Sequence, residues 1–542
     1  MKTRNLFLSL LAVAAFTSCS NEDTPQVPET RDGRFIAVNI NNTVDASRAA
    51  GASYENGLAA ENNVSSVTFL FFDASGNPYV VDGTNNYVVK APEASGSTSE
   101  PNVEKILNAV LVIEASKQAP PASILAVLNA DDDLTSAIVN KSLTALKDVT
   151  SAFKATDFFM SNSVYVNSVG EEVTAVKLQP ENICTTEAAA LATPVEIYVE
   201  RLAAKVRVGY KEGVDKNLIP VMTDATPSEQ MKDSKGNAIY AKILGWDVTN
   251  TLSSMYTIKN INTDWTDVNL GFTWNDAPYF RSYWAETKSS LDSKHTLTWT
   301  ALESHTEAYD YYFENTLAST IEKNGVDAIS EAGNNYSQLL VAAEFVDADG
   351  NPLSIAEWYG VMYTLDDLKT AIAGSLASKL YVVETKDAEG NVLTATSITA
   401  SDLDFEQESM TATGNRYLSY VKLSATGAAK EYCDVNKNKY TDADAVNTYL
   451  KTLNPALIWK EGGYYFFNIK HLGTTGNTGE FGIVRNHIYD ITVDGVIGLG
   501  TPVYDPTHII TPEIPDIDQA TYVSARINIL SWRVVTNTVI LQ

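Results

Sequence analysis

A cysteine that directly follows a short apolar leader is the residue whose type and position most clearly predict a covalent modification. The apolar run over residues 6–16 is too short to span a bilayer, and Phe16-Thr17-Ser18-Cys19 then resembles the cleavage box of bacterial lipoproteins. We therefore expect residues 1–18 to be a lipoprotein signal peptide and Cys19 to carry several acyl chains, palmitate among them, as a membrane anchor. An ordinary secretory signal with an incidental cysteine is the alternative.

The peptide bond after Arg48 is the second candidate for covalent chemistry. Asp45-Ala46-Ser47-Arg48-Ala49-Ala50-Gly51 places one arginine among small residues, which suits a trypsin-like protease. The upstream residues Phe35–Ile40 alternate apolar and polar and predict a first β-strand. We expect cleavage between Arg48 and Ala49 after export, so that residues 19–48 are a propeptide that carries this strand. The alternative is that Arg48 is a solvated loop residue.

No motif in the chain predicts catalysis. The sequence has no HExxH zinc helix, no GxSxG nucleophile elbow and no P-loop lysine, and its 5 histidines lack the spacing of metal ligands. Asp434 to Asp442 resembles the first half of a calcium loop, but Lys439 stands where the loop needs glycine and the bidentate glutamate is missing. We predict a non-enzymatic protein without metal or other cofactors; a calcium site near Asp434 stays open.

The composition predicts an acidic, globular, strand-rich protein. With 542 residues the chain is too long for one ordinary core, so two domains are expected. Hydrophobic residues make up 44% and charged residues 20%, and the 27 Tyr and 17 Phe favour strands over helices. The formal charge of −28 argues against binding to nucleic acid or to anionic membrane surfaces, because both need clusters of Lys and Arg.

The remaining cysteines are too few for a disulfide framework. Only Cys184 and Cys433 follow Cys19, and we place them in different domains. Two buried thiols are expected, and a single bridge is the alternative.

Periodicity predicts strands through most of the chain and only short helices. Val67–Phe72 begins a β-hairpin, and Ile243–Val248 is a later strand. Asp131–Lys147, Asp366–Ser378 and Asp442–Leu450 are predicted to be helical.

Val195–Tyr210 has an apolar phase that changes partway along. A strand with a period of two cannot change faces without an extra residue, so we predict one long strand with a β-bulge near Glu200–Arg201. The first domain is expected to end just beyond it, near Glu212.

The last segment, Tyr522–Gln542, favours β-structure and has nothing after it to pair with. If the first strand were lost, it would leave a groove that another strand must fill, and this tail could supply one. Residues 501–542 are therefore predicted to be a linker and a donor strand. Its candidate donor residues are Trp532, Val534, Val535, Val539, Ile540 and Leu541. The alternative is that the tail is an edge strand of its own domain.

These segments, in this order, resemble the fimbrillin superfamily of Bacteroidetes, and most closely its major subunits of the short (minor) fimbria. The resemblance covers nearly the whole chain. After the lipoprotein signal, the segments that carry it are Ser47-Arg48-Ala49, Val199 to Val206, Gly245-Trp246, Arg281 to Ala285, Val484 to Tyr489 and Ile529 to Trp532.

The resemblance implies an all-β protein with a few short helices, built from two tandem transthyretin-like β-sandwich domains at residues 49–212 and 213–500. It implies export through the periplasm as an outer-membrane lipoprotein and cleavage by an arginine-specific or trypsin-like protease. It also implies head-to-tail polymerisation of the chain with itself into a cell-surface fimbrium that supports adhesion and biofilm formation. Anchor and tip subunits would be partners, and host or bacterial surface ligands are further candidates.

Two other functions fit the same features. A lipid-anchored surface glycan-binding protein would keep its lipid, stay monomeric and expose aromatic platforms, for which Trp284 is a candidate. A fimbrial tip or accessory adhesin would not need a free donor strand. A secreted enzyme would need a motif that the sequence does not provide.

Overall fold

The structure is a computed structural model, and it describes most of the chain between Gly33 and Leu541. The described ranges are 33–43, 53–81, 83–90, 93–95, 103–114, 119–152, 158–166, 171–224, 228–261, 285–287, 297–316, 337–408, 417–472, 479–507, 509–510, 524–530 and 533–541.

Strands dominate the first two fifths of the described chain. They are β1 (Gly33–Thr43), β2 (Ser53–Tyr54), β3 (Ser66–Phe72), β4 (Asn86–Lys90), β5 (Glu93–Ser95), β6 (Val103–Glu114), β7 (Ser123–Leu128), β8 (Thr150–Ala152), β9 (Met160–Asn162), β10 (Tyr165–Val166), β11 (Glu172–Val173), β12 (Val176–Lys177), β13 (Val195–Arg201) and β14 (Ala204–Tyr210).

The later strands continue to the C-terminal region. They are β15 (Ile219–Met222), β16 (Tyr240–Thr249), β17 (Ser254–Tyr256), β18 (Leu297–Thr298), β19 (Tyr309–Tyr312), β20 (Gln338–Val346), β21 (Ile355–Trp358), β22 (Val361–Thr364), β23 (Tyr381–Lys386), β24 (Val392–Ser397), β25 (Leu403–Gln407), β26 (Leu418–Leu423), β27 (Tyr432–Cys433), β28 (Ala456–Trp459), β29 (Gly462–Asn468), β30 (His487–Ile497), β31 (Thr501–Val503), β32 (Ile509–Ile510), β33 (Ser524–Leu530) and β34 (Arg533–Leu541).

The helices are short, and most of them begin at a side chain that caps the first turn. They are α1 (Asp132–Ile138), α2 (Leu143–Leu146), α3 (Glu187–Ala192), α4 (Trp299–Ser304), α5 (Leu365–Leu376), α6 (Ala425–Ala428) and α7 (Ala443–Leu450), with 3-10 turns η1 (Pro180–Asn182) and η2 (Ala400–Asp402). Thr364 and Asp442 accept hydrogen bonds from the backbone at the starts of α5 and α7. The two helices predicted near these positions are confirmed, as is the all-β fold with a few short helices.

The first sheet has the order β4-β3-β7-β9-β13-β1-β6-β5, and β12 pairs with β7. Its strands bury both faces. On β3, Val67, Phe69 and Phe71 contribute to one core, whereas Leu70 and Phe72 contribute to another core beneath α1 and α2. The alternation of side chains along a strand explains why neighbouring residues enter different cores.

The prediction of one strand from Val195 to Tyr210 with a bulge at Glu200–Arg201 is wrong. β13 pairs with β1 and β9, whereas β14 pairs with β19 and β30 in a different sheet. Val199 therefore faces the first core and Val206 faces the second. The change in apolar phase marks a change of sheet. The domain limits at residues 212 and 500 stay predictions.

The second sheet has the order β2-β34-β33-β30-β15-β16-β20-β29-β31, and β14 and β19 attach beside β30. Its core contains large aromatic side chains that pack with β-branched neighbours, among them Trp246, Phe345 and Tyr489. The buried phenol of Tyr465 donates a hydrogen bond of 3.0 Å to the carbonyl of Gly498, so its polar atom is satisfied.

A third unit lies between β20 and β29, and the sequence reasoning missed it. It combines a five-stranded sheet, β22-β21-β28-β26-β25, with a three-stranded sheet, β24-β23-β27. Helices α5 and α7 cover them, and Leu368, Ile372 and Val446 join Phe405 in a core separate from the other two. This unit is an insertion within the predicted C-terminal domain.

Five turns of the described chain repeat one hydrogen-bond pattern. They are Asp73–Asn77, Asp233–Asn237, Asp347–Asn351, Asp387–Asn391 and Asp434–Asn438. In each, the aspartate carboxylate accepts from the backbone N–H of the asparagine, and the residue before that asparagine has a positive φ. Gly350 and Gly390 take this conformation readily, and Lys437 adopts it at φ 65°. The hydrogen bonds from Asn351 hold the pKa of Asp347 below its usual value.

The two cysteines differ from the expectation of two buried thiols. Both are free, and Cys433 is fully buried, whereas Cys184 is partly exposed. Burial raises the pKa of the Cys433 thiol. None of the described helices is long and apolar enough to cross a membrane.

Gly245 is required by a close contact between β16 and α4. A β-bulge interrupts the pairing of β16 with β20 between Ile243 and Gly245. A Cβ atom at position 245 would lie 2.3 Å from the carbonyl oxygen of Leu302 and 2.7 Å from that of His305. These are backbone atoms, so they cannot give way as a flexible side chain could.

Gly245→Ala is expected to lower the free energy of unfolding by about 2–3 kcal/mol, because the methyl group overpacks the contact with α4. Gly209→Ala in β14 is the matched control, since a Cβ atom there meets nothing within 4 Å. Urea unfolding of the two variants measures the difference. Equal midpoints for the two would contradict the role of this contact.

Candidate assembly site

Strand β1 lies inside the first sheet, with a partner on each edge. It pairs antiparallel with β6 from Gly33 to Thr43, and parallel with β13 over Val38–Asn42. Among the described strands it is the link between β6 and β13. Taking β1 out would therefore leave two facing strand edges with open backbone groups.

The side chains at the middle of β1 are buried on both faces. Ile36 and Val38 are 0% exposed and share a core with Leu107 of β6 and Ile197 of β13. Ala37 points to the other face and is 2% exposed. Helix α3 packs against β1 and β6. The slot that β1 fills is thus both apolar and lined by backbone hydrogen-bonding groups.

The C-terminal segment forms a hairpin on the second sheet. β33 and β34 pair antiparallel; β33 also pairs with the start of β30, and β34 runs parallel to β30 as far as Leu541. Ser53 and Tyr54 of β2 pair with Val534 and Arg533 on β34.

The predicted site residues fall partly outside the described residues. Cys19, Arg48, Ala49 and Trp532 lie outside them, so lipidation and cleavage stay predictions. For the remaining donor residues, the structure describes the backbone alone, which is a strand in β34: Val534, Val535, Val539, Ile540 and Leu541. This strand pairs within its own chain here, and its donation to another subunit stays a prediction.

The two sheets meet at a junction built from the segments Glu200–Lys205 and Arg485–His487. Arg201 donates to the side-chain oxygen of Asn486 at 3.1 Å, and the backbone N–H of Asn486 donates to the carbonyl of Ala203 at 2.6 Å. Asn486 has φ 57°, a left-handed conformation that asparagine tolerates better than most residues. The sequence singled out both segments but could not predict that they touch, because they lie 285 residues apart.

Glu61 joins this junction from the segment after β2. Its carboxylate accepts from Lys205 at 2.8 Å and from the hydroxyl of Tyr311, and its carbonyl accepts from Arg201 at 3.0 Å. Burial alone would raise the pKa of Glu61, but the hydrogen bonds from Lys205 and Tyr311 outweigh it and lower the pKa. Glu61 therefore stays ionised and ties residues 58–61 to β14.

A second buried ion pair sits on the other side of Asn486. Arg485 donates through Nε to Glu314 at 2.8 Å and through Nη2 to the other carboxylate oxygen. It also donates to the carbonyls of Tyr256 and Thr257. Both ionic side chains are at most 1% exposed. Lys259 and Glu200 form a further buried pair nearby.

Sequence reasoning missed Glu61, Lys259 and Glu314. The available signal was a charged residue placed among apolar ones, as in Glu314 after Phe313. That signal marks a buried charge but does not identify its partner.

No metal centre accompanies this cluster in the part of the chain that the structure describes, where no three His, Cys, Asp or Glu side chains gather around a common point. At the calcium-like loop, the Asp434 carboxylate accepts from the backbone N–H groups of Asn436 and Asn438 and from the Asn438 side chain. These three hydrogen bonds use most of the roughly four acceptor positions of the carboxylate within the turn.

Arg485→Ala is expected to destabilise the protein by about 3–5 kcal/mol, because it leaves the Glu314 carboxylate buried without its cation. Replacing both partners, Arg485→Met with Glu314→Leu, should cost less than the single change. Lys242→Ala, which breaks the half-exposed pair of Lys242 with Glu344, is the control and should cost under about 1 kcal/mol. Denaturant unfolding measures the free energy of unfolding of Arg485→Ala, of the double variant and of Lys242→Ala. A double variant no more stable than Arg485→Ala would contradict this account.

Comparison with known proteins bears on the same C-terminal strands. Residues 459–538 match the family described as major fimbrial subunit protein type IV, fimbrillin, C-terminal. The matched range contains β29, β30, β33 and most of β34. No curated protein sequence matches the chain.

Several solved structures are similar to the chain at low identity. A candidate cell adhesion protein from Bacteroides eggerthii is 10% identical, with 95% of this chain and 100% of that chain covered and a TM-score of 0.34. The tip fimbrial protein Mfa3 from Porphyromonas gingivalis, with a C-terminal truncation, is 10% identical over 85% and 95%, with a TM-score of 0.30. A fimbrial assembly protein from Parabacteroides distasonis is 11% identical over 58% and 83%, also with a TM-score of 0.30. Likenesses this weak carry no argument about this chain.

The matched range includes Arg485 and Asn486, which form the junction, and most of the terminal hairpin. Over this C-terminal segment, the chain is similar to the fimbrillin family of major fimbrial subunits.

Proposed function

We propose that this chain is a non-enzymatic structural subunit of a surface fimbrium that polymerises by donor-strand exchange after proteolysis. The proposal further assigns it to the shaft of a short fimbria. The observation that carries it is the position of β1, which is held in the middle of the first sheet and lies directly upstream of Arg48. A cut between Arg48 and Ala49 separates this strand from the rest of the chain.

Cleavage alone does not release β1, since its hydrogen bonds to β6 and β13 remain. It converts an intramolecular strand into a separate peptide, however, so a strand from another molecule can replace it. The vacated slot would expose Leu107, Ile197 and their neighbours together with two open strand edges. Such a slot is a strong acceptor for any strand of matching length and pattern.

Strand β34 fits this requirement in length and in sequence pattern. It has 9 residues, and β1 has 11. Val535, Val539 and Leu541 all stand at odd-numbered positions, with Asn537 between the first two, so they follow the period of two that Ile36 and Val38 show in β1. Burying these three side chains is worth roughly 1.5–3 kcal/mol each before the costs of association. The added main-chain hydrogen bonds would make dissociation slow.

A donor on one end and an acceptor on the other end produce a head-to-tail contact. Such a contact does not close on itself, so it propagates a filament of identical subunits. The partners of the chain are then further copies of itself, along with anchor and tip subunits at the two ends. Acylation at Cys19 would hold the precursor at the outer membrane during export, and the assembled subunit would lie at the cell surface.

One observation favours an adhesin role as a second candidate. Tyr359, at the tip of the β21–β22 hairpin, is 68% exposed and stands edge-to-face with Trp358. Trp358 is half-buried against the core of the third unit, so the exposed ring of Tyr359 is the one that can stack on a ligand. A glycan-binding lipoprotein would keep Cys19 and remain monomeric, which distinguishes it from a shaft subunit. The Trp284 platform considered for that function lies outside the described residues.

Arg48→Ala is expected to block maturation. Cells fed labelled palmitate should show label on the wild-type precursor but not on polymerised subunits, which should begin at Ala49. The Arg48→Ala chain should keep its label and remain monomeric, while Cys19→Ala should carry no label at all. Mass spectrometry of the assembled subunit reads its first residue. Polymers that begin at Cys19 would contradict the proposal.

Deleting Val534 to Gln542 should leave a folded, soluble monomer that cannot polymerise. The expected loss is complete, because the slot of each subunit would have no strand to receive. Electron microscopy detects fibres, and circular dichroism checks the fold. Fibres formed by the truncated chain, or unfolding of the whole second domain, would show that the terminal strand is not the donor.

A further inference from the structure

The segment directly after the predicted cleavage site is bound to the terminal hairpin. Ser53 and Tyr54 form β2, the outermost strand of the second sheet, and they pair with Val534 and Arg533 of β34. The new N-terminal region of the same chain therefore pairs with the first two residues of the strand that would be donated, whose later residues pair with β30.

The next residue, Glu55, fastens this segment by an ionic contact. Arg207 of β14 donates to both carboxylate oxygens of Glu55 at 3.0 Å. The same guanidinium makes a paired contact with Asp490 of β30, from Nε at 3.0 Å and from Nη2 at 2.9 Å. Arg207, Asp490 and Glu55 side chains are 27–37% exposed, so the network is half-screened from solvent.

The segment is held on both sides while the chain is intact. Upstream, residues 44–52 join β2 to β1, and β1 is fixed in the first sheet. Downstream, Glu61 is fixed to Lys205 in the buried junction. A short strand tied at both ends re-forms its pairing at a high effective concentration, which is set by the length of the tether.

We propose that residues 53–55 are a clasp on the terminal hairpin, and that cleavage after Arg48 loosens it. Hydrolysis adds one water across the Arg48–Ala49 peptide bond and removes the upstream tie. The clasp then depends on its pairing with β34 and on the contact between Glu55 and Arg207. One cleavage thus acts on both ends of the subunit: it makes β1 replaceable and weakens the hold on β34. The release of β34 for donation rests on the proposed function, whereas the contacts of residues 53–55 with β34 and Arg207 do not.

Hydrogen exchange of the full-length chain tests the clasp directly. At low salt, Glu55→Gln should speed exchange of the amides of Arg533–Leu541 about threefold, which is the size expected for a half-exposed ion pair. The effect should shrink in 0.5 M salt because screening weakens the contact that the variant removes. Cutting the wild-type chain after Arg48 with a trypsin-like protease should speed exchange in the same amides by at least as much.

Glu344→Gln is the matched control. It removes the contact of Glu344 with Lys242, which has the same 3.0 Å separation and similar exposure but lies away from β34. Its exchange in Arg533–Leu541 should equal that of the wild type. Glu55→Asp keeps the charge but shortens the side chain, and it should give an intermediate rate. Unchanged exchange in Glu55→Gln, or an equal rise in Glu344→Gln, would overturn the clasp.

The same measurements separate the clasp from donor-strand exchange. If exchange in β34 responds to Glu55 and to cleavage but cleaved subunits never form fibres, the clasp stands and the proposed function fails. If fibres form while exchange responds to neither change, the proposed function stands and the clasp fails. If exchange in β34 responds to both changes and cleaved subunits also form fibres, the Glu55→Gln chain should form fibres sooner after cleavage than the Glu344→Gln chain.

Discussion

The pairing of β1 on both of its edges is the constraint on which the first sheet depends. A strand at the edge of a sheet can leave and expose only one neighbour, whereas β1 joins β6 to β13 and buries Ile36 and Val38 between them. Its loss therefore costs hydrogen bonds on two sides and opens the core at the same time. In the proposed assembly, a precursor with β1 in place would have little tendency to exchange it, so the proposal needs a separate covalent event to make exchange favourable.

The junction between the two sheets is built from a backbone hydrogen bond and buried ion pairs. The chain passes from β13 to β14 through Leu202 and Ala203, and Asn486 binds this crossing from the second sheet. Buried ion pairs on both sides, Lys205–Glu61 and Arg485–Glu314, add directional contacts rather than large net stability. Their value is in fixing one arrangement of the two sheets, because any other would leave charges buried without partners.

Local patterns in the sequence were sufficient for the elements, but not for their assignment to sheets. Ile243–Val248 is part of β16, and the helices α5 and α7 begin at the capping residues that the sequence offers. The segment Val195–Tyr210 was misread because a change of apolar phase has two physical causes, a bulge and a change of sheet, and periodicity is the same for both. Whether the chain forms a bulge or changes sheet depends on the strands that pair with it, and some of these lie hundreds of residues away.

The third unit and the polar junction were beyond sequence reasoning for the same reason. Several strands between β20 and β29 alternate apolar and polar residues as ordinary half-buried strands do, so nothing local shows that Leu368 and Phe405 share a separate core. Glu61 and Glu314 are 2 of 67 acidic residues, and burial distinguishes them only after folding.

The net charge of the chain limits what can drive its association. Each copy carries a formal charge of −28, so two copies repel one another at long range, and salt screens this repulsion beyond about 8 Å at physiological ionic strength. In the proposed polymer, attraction between subunits would therefore have to arise at contact, from buried apolar side chains and main-chain hydrogen bonds. An inserted strand provides such short-range contacts. It also fixes the register, because a shift of one residue would turn every apolar side chain of the inserted strand away from the core. In the proposed assembly, Val535, Val539 and Leu541, which all stand at odd-numbered positions, would set the register between successive subunits as well as their affinity.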